Sequence, residues 1–243
     1  MPAYAGSAWR GAFGHALKRL VCVTREPACP PCLLYRSCIY PYVFETPPDP
    51  GVGKLTQYPA APHPYVLIPD EHSGSVAAGE TLSLDVHLFG HGHRHLPYVI
   101  HALNHAGQRG LSKDRGELAL ERVTQTDGEN WRPIYAPGES LTPLPAMTPA
   151  TPPCPERLTL RFLTPLRLNS AGQLVSQDRF RFHHLFASLR RPISLLTAFH
   201  TDTSLDADFA GLSQAVRAVA LKSARLRWHD WSRYSSRQQT TVP

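Results

Sequence analysis

The sequence predicts an α+β chain built as two similar halves. Three observations carry this. Amphipathic helical periodicities and alternating strand patterns recur in each half. A stretch with eight prolines, at residues 133–155, separates the halves. A cysteine- and proline-rich excursion interrupts the first half. The element order, strand–helix–strand–strand–helix–strand, is that of a ferredoxin-like (RRM-like) fold. The expected organisation is an N-terminal ferredoxin-like domain at 1–132 with a Cys-rich insert, a linker at 133–155, and a basic C-terminal ferredoxin-like domain at 156–243.

The first element is a helix within residues 2–20. Trp9, Phe13, Ala16, Leu17 and Leu20 fall on one stripe at helical spacing. Ser7 offers an N-cap hydroxyl. The other face holds out Arg10, His15, Lys18 and Arg19. A cationic face with a group that titrates near neutrality suits an anionic substrate, and also suits a plain solvated surface.

Cys22, Cys29, Cys32 and Cys38 follow as C-x6-C-x2-C-x5-C. Four thiolates on so short a stretch can surround a structural zinc or an iron–sulfur cluster. Four reduced cysteines packed under a loop fit as well. Residues 39–64, rich in proline and glycine, read as an irregular surface excursion. An apolar run at 65–69 and an alternating strand at 81–89 follow. Next comes the loop His91, His93, His95, read as exposed histidines ahead of a metal site. A helix through Tyr98, Ile100 and Ala106 carries His101 and His105, with no hydrolytic zinc pattern around them. A further strand is expected at 118–123.

Beyond the prolines, residues 157–168 alternate as a strand. Gly172 marks a turn, 180–196 and 208–221 are helical, and 224–231 alternates again with Trp228 inward. Charge is concentrated here. Residues 179–243 hold ten Lys/Arg against four acids, which equals the whole formal excess of +6. That is the footprint of a polyanion partner. No apolar run approaches the roughly 20 residues of a membrane span. The opening residues lack a signal-peptide pattern, so the cytoplasm is the expected compartment. Five cysteines, an odd number, argue against a disulfide framework.

Several segments also form an ordered set: GSAWRGAFGHALKRLVC, the four-cysteine spacing, LFGHG after an alternating strand, and WHDWSRYSSRQ. The set resembles the CRISPR-associated pre-crRNA-processing endoribonucleases of the RAMP superfamily, nearest the branch with a cysteine-rich insert, the type IV system enzyme included. The resemblance implies a metal-independent enzyme, with no catalytic cofactor, that cuts CRISPR repeat RNA by attack of a ribose 2′-OH. It implies a partner stem-loop that stays bound as crRNA, and companion subunits of an effector complex. It carries a base or acid role to His15, with Arg10 and Arg25 as an arginine-based alternative. Lys18, Arg19, Arg179, Arg181, Arg190, Arg191, Arg227, Arg233 and Arg237 are the expected RNA contacts. Trp228, Trp231 and Tyr234 can stack on an unpaired base.

Overall fold

The structure, a computed structural model, describes residues 5–47, 61–70, 76–111, 116–203, 205–230, 233–235 and 240–242, the last two segments as backbone only. The chain is α+β, and the sheets among the described residues are two-stranded and antiparallel. It divides into two compact units. One comprises Met1–Thr151 and Leu195–Ser204, the other Pro152–Ser194 and Leu205–Pro243.

The first unit is organised around helix α1, Gly6–Val21. Its buried residues Trp9, Phe13, Ala16 and Leu17 recur at three- and four-residue intervals, which puts them on one face. Phe13 and Leu17 are fully buried. Helix α2, Leu96–Gln108, packs on α1 through Val99, Ala102 and Ala106, where the alanines allow close approach. Strands β1, Tyr65–Pro69, and β2, Leu84–Leu88, pair with Tyr65 opposite Leu88 and Pro69 opposite Leu84. Tyr65, Leu67, Val86 and Leu88 face the same core. Val43 completes it from a π-helical turn, Pro41–Glu45. Burying a side chain of Phe13's size contributes about 1.5–3 kcal/mol, so this cluster dominates the unit's stability. A short 3₁₀ helix, Gly90–His95, leads into α2, and strands β3, Val123–Thr126, and β4, Trp131–Tyr135, form a separate hairpin.

In the second unit a small hairpin pairs β5, Asn169–Ser170, with β6, Gln173–Leu174. Ala171 and Gly172 both take positive φ at its turn, as a tight two-residue connection requires. Helix α3, Phe182–His200, contains Pro192, and its last six residues belong to the first unit. Helix α4, Phe209–Ala215, is capped by Asp208, whose carboxylate accepts from Gly211 N–H at 2.8 Å. Strands β7, Arg233–Ser235, and β8, Thr240–Val242, pair at the end.

Several expectations change. Ala5, not Ser7, is the N-cap of α1; it is buried against Trp9, so the helix starts before the hydroxyl. The excursion at 39–64 is not wholly surface: its π-helical turn buries Pro41 and Val43. Residues 118–122 form no strand, because Leu118 gives its N–H to the Gly107 carbonyl at the end of α2. Residues 157–168 form none either, since no partner strand lies alongside among the described residues; Leu158 and Phe162 stay exposed. Residues 224–230 are also irregular. Trp228 is 48% exposed rather than core, and its ring N–H donates to Asp230 Oδ1 at 2.6 Å. The helix expected at 208–221 stops at Ala215. The expected linker gives its first residues, Pro133–Tyr135, to β4.

Candidate functional site

The candidate site grows out of the exposed flank of α1. Arg10 is exposed, and its Nη2 donates to His63 Nε2 at 2.6 Å. Arginine has no acceptor, so Nε2 must be the unprotonated nitrogen. Nδ1 then carries the proton and donates to Thr46 Oγ1 at 3.0 Å. Burial, followed by the positive charge of Arg10, lowers His63 from 6.5 to about 4. At neutral pH the pair is therefore one cation and one neutral imidazole.

The π-helical turn makes this geometry. Its i→i+5 bonding ends with Thr46 N–H donating to the Pro41 carbonyl at 2.6 Å. Thr46 itself adopts a left-handed conformation, φ 44° and ψ 58°, which is costly for a β-branched residue. That conformation turns its buried hydroxyl onto His63. The same turn stacks Tyr40 on Phe44, with ring centroids 5.3 Å apart and planes at 15°. Arg10 lies 5.7 Å above the Phe44 ring and Lys18 5.6 Å above Tyr40. Gly14 leaves room for this stack: a Cβ there would come 3.0 Å from Phe44 Cε1.

Tyr65 forms the floor. Its ring stacks beside His63 at 5.8 Å and meets Phe44 at 5.4 Å. Only 7% of the residue is exposed, and its buried hydroxyl lies beside Arg10 with no hydrogen bond of good geometry among the described residues. Burial pushes its pKa up to about 12, with the charge and N–H donors of the adjacent Arg10 acting against the rise. A guanidinium, a neutral imidazole and a buried phenol thus converge. Arg10, the exposed member, is a hydrogen-bond donor that fits an anionic oxygen.

The structure sorts the expected residues. His15 is exposed on α1 but lies five residues beyond Arg10, about 140° around the helix. It does not share the face that meets His63. Arg25 is exposed with φ 56°, in the loop that returns to Lys18, whose Nζ donates to the Pro27 carbonyl at 3.2 Å. Arg19 is exposed. In the second unit, Arg190 is committed internally: its Nη1 donates to Ser213 Oγ at 3.1 Å and its guanidinium covers the Phe209 ring. Arg181 donates to the Asp178 and Phe180 carbonyls. Arg179, Arg191 and Arg227 are exposed. The side chains of Arg233 and Tyr234, and all of Trp231 and Arg237, lie outside the described residues. His63, Thr46 and Tyr65 had no signal in the sequence beyond a histidine set between Pro62 and Pro64.

The cysteines and the histidine-rich turn are placed as well. Cys22, Cys29, Cys32 and Cys38 all line one shallow, solvent-open depression, and none of them is in a disulfide. Among the described residues no three His, Cys, Asp or Glu side chains are gathered as the ligands of a single metal ion. His91 is tied to Asp202, with Nε2 to Oδ2 at 3.0 Å, and His93 Nδ1 lies 2.7 Å from the Gly90 carbonyl. His200, 1% exposed, is held between Tyr42 OH at 3.0 Å and the Pro62 carbonyl at 2.8 Å. No helix among the described residues is long and apolar enough to cross a membrane.

The fold and site together define an α+β protein with a cationic flank on its opening helix. The chain belongs to the AF_1859_N family, whose N-terminal domain matches residues 1–147. It is similar to an uncharacterized protein of Archaeoglobus fulgidus, 30% identical over 135 residues. The match covers 56% of this chain and 44% of that protein, so the chain spans less than half the length of that relative. No solved structure matches.

Proposed function

We propose that this chain is a metal-independent endoribonuclease that cleaves CRISPR repeat RNA and stays bound to the repeat stem in an effector ribonucleoprotein. The observation that carries the reading is the pairing of exposed Arg10 with neutral His63 above the buried Tyr65 ring. A scissile phosphate seated there meets a fixed cation, a group that stabilises a phosphorane. Its negative charge draws the Arg10 guanidinium off Nε2, which frees that lone pair and raises the basicity of His63 toward the range useful for accepting the 2′-OH proton. In this reading His63 takes the role first expected of His15, and Arg10 retains its own. The cytoplasm is the compartment this role requires.

Further support comes from the ordered segments that resemble the RAMP endoribonucleases and from the basic final quarter. The order α1–β1–β2–α2–β3 is that of a ferredoxin-like half from its first helix onward. On this reading both units are ferredoxin-like. One observation favours a second reading, a non-catalytic RNA-binding subunit of such a complex: a histidine lowered to about 4 is a weak base at neutral pH.

The test is cleavage of a labelled repeat hairpin in EDTA, with binding measured separately by anisotropy. The reading expects a single cut, abolished by a 2′-deoxy substitution at the cut site. Arg10→Ala and His63→Gln should reduce cleavage by about 10²-fold or more, and His15→Ala by much less. An intact repeat at saturating binding favours the structural subunit. A cut lost only in His15→Ala moves the chemistry off this site.

A further inference from the structure

The arm that carries His63 is short of anchors of its own. Pro62 and Pro64 flank the imidazole and have no N–H to give. Ala61 N–H donates to the Thr46 carbonyl at 3.0 Å, and the Pro64 carbonyl accepts from Phe89 N–H at 2.9 Å. Between them, the Pro62 carbonyl takes its donor from far along the chain. His200, in the last turn of α3, gives its Nε2 proton to that carbonyl at 2.8 Å. Burial lowers the pKa of His200 below its ordinary value, against the opposing pull of the Pro62 bond, so the ring is neutral at pH 7. Its Nδ1 is then an acceptor, and the Tyr42 hydroxyl donates to it at 3.0 Å. Tyr42 belongs to the π-helical turn that leads into Thr46. One imidazole, 1% exposed and with both nitrogens bonded, thus joins the two segments that meet at His63.

We propose that His200 is a positioning residue for the Arg10–His63 pair. It clamps the Pro62 carbonyl to the π-helical turn, and so holds the His63 ring where Arg10 reaches one nitrogen and Thr46 the other. This role rests on the reading of that pair as the reactive site. The two ring bonds of His200 go to Tyr42 and to Pro62, so it acts through the backbone next to His63. Packing alone does not call for a histidine here. A leucine would fill similar space and leave the Pro62 carbonyl and the Tyr42 hydroxyl without this shared partner. Orientation is fixed as well: the His200 ring stands at 86° to the Tyr42 ring, with centroids 5.4 Å apart. The neighbours keep the clamp seated. His91 Nε2 meets Asp202 Oδ2 at 3.0 Å two residues further on, and Gly90, at φ 50°, leaves room for the His200 carbonyl. A segment from beyond the proline-rich stretch therefore completes the geometry of a site whose other members all come from residues 10–65.

The experiment is an NMR titration of the His63 ring in the full chain, with cleavage and binding of the repeat hairpin measured beside it. The variants are His200→Ala, His200→Gln and Tyr42→Phe, and urea unfolding records the stability of each. His63 should titrate from about 4 in wild type and move up by at least about one unit in His200→Ala, as its burial and its fixed contact with Arg10 are lost. Tyr42→Phe should move it in the same direction by less. His200→Gln, which can donate to Pro62 and accept from Tyr42, should return it toward the wild-type value. The cleavage rate at saturating hairpin should fall about 10-fold in His200→Ala, with Kd changed less than about twofold, because misplacement costs rate more than affinity. A His63 titration unmoved in a folded His200→Ala overturns the proposal, even where stability falls. If that variant does not fold, an unmoved His63 in Tyr42→Phe overturns it. A shifted His63 in a chain that leaves the repeat intact supports the clamp and sinks the nuclease reading, whereas cleavage with an unmoved His63 does the reverse.

Discussion

Lowering the pH from 7 to 5 should weaken the first unit through one identifiable group. His63 titrates near 4 in the folded chain against 6.5 when unfolded. Between those values the unfolded state binds the extra proton. The stabilisation is therefore complete above about 6.5 and is lost as pH falls from there toward 4. At pH 5 the full difference corresponds to about 2 kcal/mol. His63 is only half-buried, and solvent screening brings the expected effect nearer 1 kcal/mol. His63→Gln is the informative variant, because a glutamine can accept from Arg10 and donate to Thr46 without titrating. Urea unfolding at pH 7 and pH 5 should show wild type losing about 1 kcal/mol more than the variant. His200 and His95 are also lowered by burial, and they contribute to both proteins alike. Equal losses in the two proteins, or a His63 ring titration near 6.5 by NMR, would refute the Arg10–His63 geometry.

Phe13→Ala should cost about 3–5 kcal/mol, read as a lower urea midpoint, because the ring is fully buried among α1, α2 and β1. Gly90→Ala should destabilise the docking of the last turn of α3. Gly90 sits at φ 50°, and an added Cβ would overlap the His200 carbonyl, so amide exchange should rise at residues 197–201 with little change in α2. Tyr65→Phe should leave the melting temperature unchanged or raise it, since it removes a buried hydroxyl that makes no hydrogen bond of good geometry among the described residues. A fall of several degrees would show that the hydroxyl is held by Arg10 in the folded chain.

Patterns confined to one element were readable from residue types alone. The stripe of Trp9, Phe13 and Leu17 and the alternation of Leu84, Val86 and Leu88 each mark a buried face within a few residues. Alternation failed where no neighbouring strand lies alongside among the described residues. Leu158, Leu160 and Phe162 have the right spacing, yet a strand needs a partner, and spacing cannot supply one. The site was half readable for the same reason. Arg10 is visible on an amphipathic helix. His63 is 53 residues away, and only the π-helical turn and the left-handed Thr46 bring it to the guanidinium. Arg190 shows the opposite error: its charge suggests a phosphate, and its neighbours Ser213 and Phe209 take it instead.

The wide turn at Pro41–Glu45 has a consequence for how this chain tolerates length changes. A π turn is an α turn with one residue added. Deleting a single residue between Tyr40 and Glu45 would let the segment close as ordinary helix, rotating all that follows by about 100°. The aromatic shelf and the threonine hydroxyl would then leave the flank of α1. The spare residue thus sets the aim of the whole constellation, and the segment should accept substitutions far more readily than a loss of one position.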